Sequence, residues 1–232
     1  MRAQRIDTHF TCNQACGWCT RRRPRDDPRV SAGAAVRDRI DDALRAGASE
    51  ITLSGGEPTM RRDLADLVRH ARQGGATLVR LETNATILDP RRARALRKAG
   101  LDVARVHLPA WGEALDALTR DPGGADRTVR GMQALVAAGV RLELAVDVVR
   151  STAAGLRELP GRVAACLGGA DRVVAIEVQV PVESPDPEEL LPYDQAAAAI
   201  ATLEQGARAL GMPVRMAPDR GPPPCLFADP GA

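Results

Sequence analysis

Three cysteines fall within eight positions, in Cys12-Asn13-Gln14-Ala15-Cys16-Gly17-Trp18-Cys19. Thiolates this close on a loop can wrap one metal centre, and soft sulfur ligands favour iron–sulfur clusters, zinc or copper(I). The usual ferredoxin spacings supply four cysteines to a cubane cluster. Here the other two, Cys166 and Cys225, lie far along the chain. Three protein ligands leave a coordination position open, which catalysis at a metal needs and a closed structural site lacks. The competing arrangement is zinc on the three cysteines plus His9. It is disfavoured because His9 and Cys12, three residues apart on an extended strand, project to opposite faces.

A second cluster of chemically apt residues is Ser54-Gly55-Gly56-Glu57-Pro58. Two glycines let the backbone approach a ligand closely, and a carboxylate suits an ammonium group as acceptor. Taken alone, the segment also reads as a tight turn before a helix.

These residues need a frame, and periodicity with breakers supplies one. A strand over Gln4–Thr11 delivers the chain to the cysteines. A polar loop, Arg21–Arg29, leads to a helix near Ala34–Ala46. Then come a strand (Glu50–Ser54), a helix near Asp63–Arg72, a strand (Thr77–Glu82), and a helix from Pro90, where Asp89-Pro90 is a good start signal. The strand Asp102–Leu108 precedes a long loop and a helix near Thr128–Ala138. The strand Arg141–Val149, a helix near Gly155–Cys166 and the strand Arg172–Val180 follow. A last helix, Tyr193–Leu210, precedes a short apolar segment, Pro213–Met216.

Six strand–helix units in strict alternation argue for one parallel sheet covered by helices. One face carries Arg80, Glu82 and Asn84, then Arg105 and His107, then Glu143 and Asp147, then Glu177 and Gln179, with aliphatic residues opposite. Central strands of a doubly wound sheet are apolar on both faces. A polar inner face therefore favours a curved sheet around a polar space, and buried ion pairs are the alternative use for these residues. The expected fold class is α/β, a partial (β/α)6 TIM-like barrel with parallel strands. It spans residues 1–217 as one domain, with an irregular Pro/Gly-rich tail over 218–232.

Cys12-x3-Cys16-x2-Cys19 with Trp18 before the last cysteine resembles the signature loop of the radical S-adenosylmethionine (SAM) superfamily. The resemblance implies that the three cysteines hold a 4Fe-4S cluster whose fourth iron is chelated by SAM, with Trp18 near the adenine. Ser54-Gly55-Gly56-Glu57-Pro58 is similar to the family's motif that contacts the SAM amino group. Glu82-Thr83-Asn84 resembles the family's Thr-Asn-Gly strand end, with Ala85 where glycine is usual. His107 stands where many relatives have a SAM-binding serine, and a hydrogen-bonded structural histidine is the other reading. Asp147 lies near a common ribose contact, and an ion-pair partner for Arg105 or Arg141 is its alternative. Glu177 and Gln179 correspond to the adenine region. Cys12, Gly55, Asn84, His107 and Arg150 all fall at C-terminal strand ends, where catalytic loops of such barrels gather.

The implied reaction has a reduced flavodoxin or ferredoxin deliver an electron, SAM cleave to methionine and a 5′-deoxyadenosyl radical, and that radical take hydrogen from a substrate carbon. The segments Leu118–Gly124, Gly131-Met132 and Ala138-Gly139-Val140 are similar to the branch of molybdenum-cofactor and peptide-modifying enzymes. Many members of that branch carry a cysteine-rich SPASM extension. Here only Cys225 follows, so no complete auxiliary cluster is expected. A ribosomally made peptide is the expected substrate. The alternatives are a small cofactor or nucleoside precursor, as for 7-carboxy-7-deazaguanine synthase, and a non-catalytic metal-binding protein.

The composition agrees with a cytoplasmic protein. The 232 residues are 44% apolar, and 32 basic against 30 acidic residues give a net charge of +2. That balance offers no general case for nucleic acid or a membrane surface. Lys98 is the only lysine, so arginine abundance reads as coding bias, and the Arg21–Arg25 run as a solvated loop or a site for an acidic donor. Neither a signal peptide nor an apolar run long enough to span a membrane is visible. Cys166 reads as a small core residue.

Overall fold

The computed structural model describes residues 2–19 and 31–217. The Arg21–Arg25 run and the tail with Cys225 lie outside the described residues.

Local sequence dictates the elements. In the strand β3 (Leu78–Thr83), burial alternates residue by residue, so Val79, Leu81 and Thr83 face the core, as a period of two requires. The helix α2 (Leu64–Gln73) buries Leu64, Leu67, Val68 and Ala71, the i, i+3, i+4, i+7 stripe of a surface helix. The helix α3 (Pro90–Ala99) opens with Pro90 at its first turn and the Asp89 carboxylate accepting the Arg92 N–H at 2.8 Å. It ends at Gly100 with φ 112°. Both ends are the ones helical geometry prefers.

The remaining elements are β1 (Ala3–Asp7), α1 (Gly33–Arg45), β2 (Glu50–Ser54), β4 (Val103–His107), α4 (Glu113–Thr119), α5 (Gly124–Ala137), β5 (Arg141–Asp147), α6 (Leu159–Leu167), β6 (Val173–Gln179), α7 (Tyr193–Arg208) and β7 (Val214–Met216). Strand order follows chain order from β1 to β7. The pairs β1–β2, β2–β3, β3–β4 and β6–β7 are parallel. An order that never reverses has no switch point, which separates it from a doubly wound sheet. The fold is the expected α/β, partial TIM-like barrel class, extended by the short strand β7.

Some boundaries differ from expectation, among them the start of α6, at Leu159 rather than near Gly155. β1 ends at Asp7 rather than Thr11, although its main chain stays bonded to the next segment beyond that point. The long loop after β4 contains α4, and α5 starts at Gly124 instead of near Thr128. Seven helical residues between Gly112 and the Pro122-Gly123-Gly124 breaker are too few for a period to stand out.

The chain divides into two compact units. The first runs to Ala15, resumes through His107 and takes in Asp126–Leu142. The second opens at Cys16, then holds Leu108–Ala125 and the residues from Glu143 onward. The core of the first is built on Ile51, Leu53, Val79, Leu81 and Val106, and that of the second on Leu115, Leu144, Val146, Ile176 and Val178.

Candidate metal centre

In the first unit, the end of β1 and the glycine pair run side by side. Thr8 N donates to the Ser54 carbonyl at 2.7 Å, Gly56 N to His9 O at 2.7 Å, and Glu57 N to Thr11 O at 2.9 Å. The two segments thus continue the parallel ladder past the strands and fix the chain that leads into Cys12. Glycine is required for this approach. Gly55 has φ +126°, and a Cβ there would lie 2.1 Å from His9 O; one on Gly56 would lie 2.1 Å from Thr11 O. These glycines make a close backbone contact with the cysteine-loop approach. Arg61 braces the same place. It donates to the Thr8 and Ser31 carbonyls at 3.1 and 2.6 Å and clasps both carboxylate oxygens of Asp63. Burial pushes the Asp63 carboxyl up, but the bidentate guanidinium outweighs it and holds the group below its ordinary range.

Glu57 is 1% exposed. Its Oε1 accepts the Thr59 N–H at 2.9 Å, the Thr59 hydroxyl, and the Thr83 hydroxyl at 2.7 Å, while Oε2 accepts the Asn84 N–H at 2.7 Å. The carboxylate therefore ties the turn after β2 to the end of β3. Asn84 carries the tie onward. Its Nδ2 donates to Asn13 Oδ1 at 2.9 Å and reaches Cys12 Sγ at 4.0 Å, and its Oδ1 accepts the Thr86 N–H at 3.1 Å. Asn13 donates in turn to the Thr86 hydroxyl at 2.8 Å. Ala85, standing where the family usually has glycine, adopts φ 61°. The helix α5 passes so close that a Cβ on Gly131 would meet Ala85 O at 2.1 Å.

The expected polar inner face is present. In the first unit its residues pair with one another: Glu82 accepts from Arg5 at 2.8 Å and Arg105 at 2.9 Å, and Ser54 accepts from Arg5 and donates to Glu82. Cross-strand register puts Glu82 opposite Arg105. Arg105 therefore takes Glu82 as partner. His107 is the last residue of β4 and half-buried.

In the second unit, Cys19 N donates to Cys16 O at 3.2 Å and closes a turn with Trp18 inside it. The Trp18 indole is 6% exposed and donates to Asp147 Oδ2 at 2.9 Å, and the Gln179 amide donates to Asp147 Oδ1. Three residues expected from different parts of the sequence are thus one hydrogen-bonded group. Lower on the same strands, Arg215 donates to the buried Glu143 at 2.8 Å and Glu177 at 3.3 Å.

Among the described residues, no group of three or more His, Cys, Asp or Glu side chains stands together as metal ligands. The chain alone keeps Cys12, Cys16 and Cys19 neighbours. Their chemistry fits an iron–sulfur cluster: all three are half-buried thiols outside any disulfide. Cys12 Sγ already receives N–H groups from Gln14 at 3.4 Å and from Asn84, the kind of donors that stabilise charge on cluster sulfur. Sequence reasoning missed Thr59, Thr86 and Arg61, and named Thr83 and Asn13 only within their motifs, without their partners. A threonine hydroxyl carries no signal until the fold brings its acceptor near; Arg61 and Asp63, two residues apart, were the one pair spacing could have raised.

The sequence profile of the Radical SAM superfamily matches residues 7–150. The chain is 33% identical over 121 residues to the Fe-coproporphyrin III synthase of Methanosarcina barkeri, covering 52% of this chain and 29% of that protein. It is 31% identical over 140 residues to a probable GTP 3',8-cyclase of Thermoplasma volcanium, covering 59% and 41%. Against the mycofactocin maturase MftC of Mycobacterium tuberculosis the identity is 32% over 153 residues, covering 64% and 38%. The chain therefore spans less than half the length of each of these relatives. In fold, it is similar to Streptococcus suis SuiB bound to S-adenosylmethionine, with a TM-score of 0.75 at 14% identity over 93% of this chain and 50% of that one. With the profile spanning the cysteine loop, the glycine pair and every strand from β2 to β5, the chain belongs to the radical SAM superfamily.

Proposed function

We infer that this chain is a radical SAM enzyme that holds one 4Fe-4S cluster on Cys12, Cys16 and Cys19 and modifies a ribosomally made peptide. The observation that carries the reading is the main-chain pairing of the glycine turn with the approach to Cys12, through Gly56 N to His9 O and Glu57 N to Thr11 O. It makes the two motifs one device. When bound, cluster and SAM supply one-electron reductive cleavage and hydrogen abstraction. The chain's own residues hold and orient. Gly55 and Gly56 bring backbone close, and Glu57 and Asn84 fix the turn and the Cys12 thiolate. Ser54 and His107 line the strand ends of the first unit. Trp18 takes the nucleoside side of the second, held by Asp147, which Gln179 holds in turn. A flavodoxin or ferredoxin is the proposed electron donor, in the cytoplasm; among the described residues no helix is long and apolar enough to cross a membrane.

Likeness in fold to SuiB, also solved with its precursor peptide SuiA, favours the peptide. Likeness to the GTP 3',8-cyclase and to the Fe-coproporphyrin III synthase favours the second reading, a small cofactor or nucleoside precursor. Anaerobic reconstitution tests the class: a brown protein with about four irons per chain that makes 5′-deoxyadenosine from SAM supports it. A colourless zinc protein would sink it in favour of a non-catalytic metal binder. Alanine at Cys12, Cys16 or Cys19 should abolish SAM cleavage. Deuterium carried into 5′-deoxyadenosine from a labelled peptide, but not from labelled nucleotides or porphyrins, separates the substrates.

A further inference from the structure

We propose that Asp147 is a positioning residue that acts through Trp18, fixing the turn between Cys16 and Cys19 by its hydrogen bond to the indole. The inference rests on the reading of that turn as part of the cluster loop.

Both partners are buried: Asp147 is 4% exposed and Trp18 6%. An indole has a single donor and no acceptor, so Trp18 can be satisfied only by an acceptor placed where its Nε1–H points. Asp147 Oδ2 stands there at 2.9 Å. The carboxylate is itself held. Gln179 donates to the other oxygen, and Val148 N bonds Gln179 O at 2.9 Å, locking the ends of β5 and β6 together. The Thr152 hydroxyl donates to the Asp147 carbonyl at 3.0 Å. At the other end, Cys19 N to Cys16 O at 3.2 Å closes the turn around Trp18. The indole is therefore a strut from a braced strand end to the peptide units between two thiols. Phenylalanine in its place would keep the ring and lose the strut. A hydrogen bond to an ionised acceptor is among the stronger kinds, and leaving either buried group unsatisfied is costly. An Asp147 engaged in this way orients the loop and, through it, SAM.

The test uses Trp18→Phe, Asp147→Ala and their combination in full-length protein. With nitrogen-15 tryptophan, only Trp18 and Trp111 give indole signals, and Trp18→Phe assigns them. Before reconstitution, the Trp18 Nε1–H is expected to exchange slowly with solvent and to lose that protection in Asp147→Ala. If its exchange is unaffected, the bond is absent and the proposal falls. In reconstituted protein, each single variant is expected to raise the SAM KM about tenfold, the loss of one hydrogen bond to a charged group, and the double variant no further. A full additional tenfold loss from Asp147→Ala in the Trp18→Phe background would mean that Asp147 acts on SAM directly, and would overturn the proposal. Should Asp147→Ala not fold, Asp147→Asn with Gln179→Glu replaces it. That pair exchanges amide and carboxylate between the two positions, so the introduced amide can accept from the indole while donating to the introduced carboxylate. Protection kept in this pair and lost in Asp147→Leu, which offers no acceptor, supports the strut; protection kept in Asp147→Leu refutes it. A wild-type protein that cleaves no SAM would sink the enzyme reading while leaving the exchange result intact.

Discussion

A Cβ built on Gly56 would sit 2.1 Å from Thr11 O and 2.6 Å from its carbonyl carbon, inside any tolerable contact, and both clashing atoms are backbone. Gly56→Ala must therefore separate the glycine turn from the cysteine approach and break the Glu57 N to Thr11 O bond. Overpacking of this kind costs about 1–3 kcal/mol, or roughly 2–12 °C in a chain of this size. Thermal unfolding of the apo protein checks it, and an unchanged midpoint would mean that the two segments do not pair. Cys166 tests the opposite case, a cysteine without metal chemistry. Burial pushes its thiol up, and its S–H donates to Val163 O at 3.2 Å. Less thiolate at about pH 8 means slow alkylation, quickening only as pH rises past the ordinary thiol range of about 8.5. Labelling of the apo protein at about pH 8 should reach Cys166 last, and Cys166→Ala should keep the full iron content. Cysteine and glycine were legible from sequence because each has a property, soft sulfur or a missing Cβ, that few roles require. Thr59 was not, and Thr83 was named only within its motif. Nothing in a threonine says that a carboxylate two residues away, or 26, will take its hydroxyl.

Elements depend on their ends. Asp89 accepts the Arg92 N–H at 2.8 Å and starts α3, the helix that follows the Asn84–Thr86 knot. Bonding to that N–H first, and the nearby arginines after it, holds the Asp89 carboxyl below its ordinary range. A group depressed in the folded state lends stability that is fully present above its unfolded value, about 3.9, and disappears as pH falls through the folded value. Asp89→Ala should cost about 1 kcal/mol at about pH 7. Measured by urea unfolding, the gap from wild type should narrow below about pH 4. A gap that stays constant down to about pH 2 would show that the cap does not work through its charge. The cap and Pro90 were readable because helix ends follow local rules. α4 was not, because two turns offer no period. Its start at Gly112 has a left-handed backbone without a side-chain cap. Alternation puts Glu82 and Arg105 on one kind of face, yet the pairing of Glu82 with Arg5 and Arg105 depends on register, which alternation leaves open.

At the scale of the molecule, chain-order strands follow from strict alternation, and six of the seven were legible. The division into two units was not. β5 itself passes from one unit to the other between Leu142 and Glu143, so no change of composition marks the boundary. The cysteine count bears on how many clusters these 232 residues can hold. On the proposed reading the three thiolates of one loop hold a single cluster, and a second cubane would need about four more ligands. Outside that loop the chain has only Cys166 and Cys225, and Cys166 is occupied in α6 as a hydrogen-bond donor to Val163. Cys225→Ser should therefore leave iron near about four per chain and leave the electron paramagnetic resonance spectrum of the reduced protein unchanged, whereas Cys16→Ala should strip the iron. A clear fall in iron with Cys225→Ser, or loss of one of two overlapping signals, would place a second metal centre on this thiol. The SAM-induced change in the signal separates the cases further, because only a cluster with an open iron responds to SAM. A Cys225-dependent signal indifferent to SAM would be an auxiliary centre, and one that shifts with SAM would mean that the ligand set of the first cluster has been drawn wrongly.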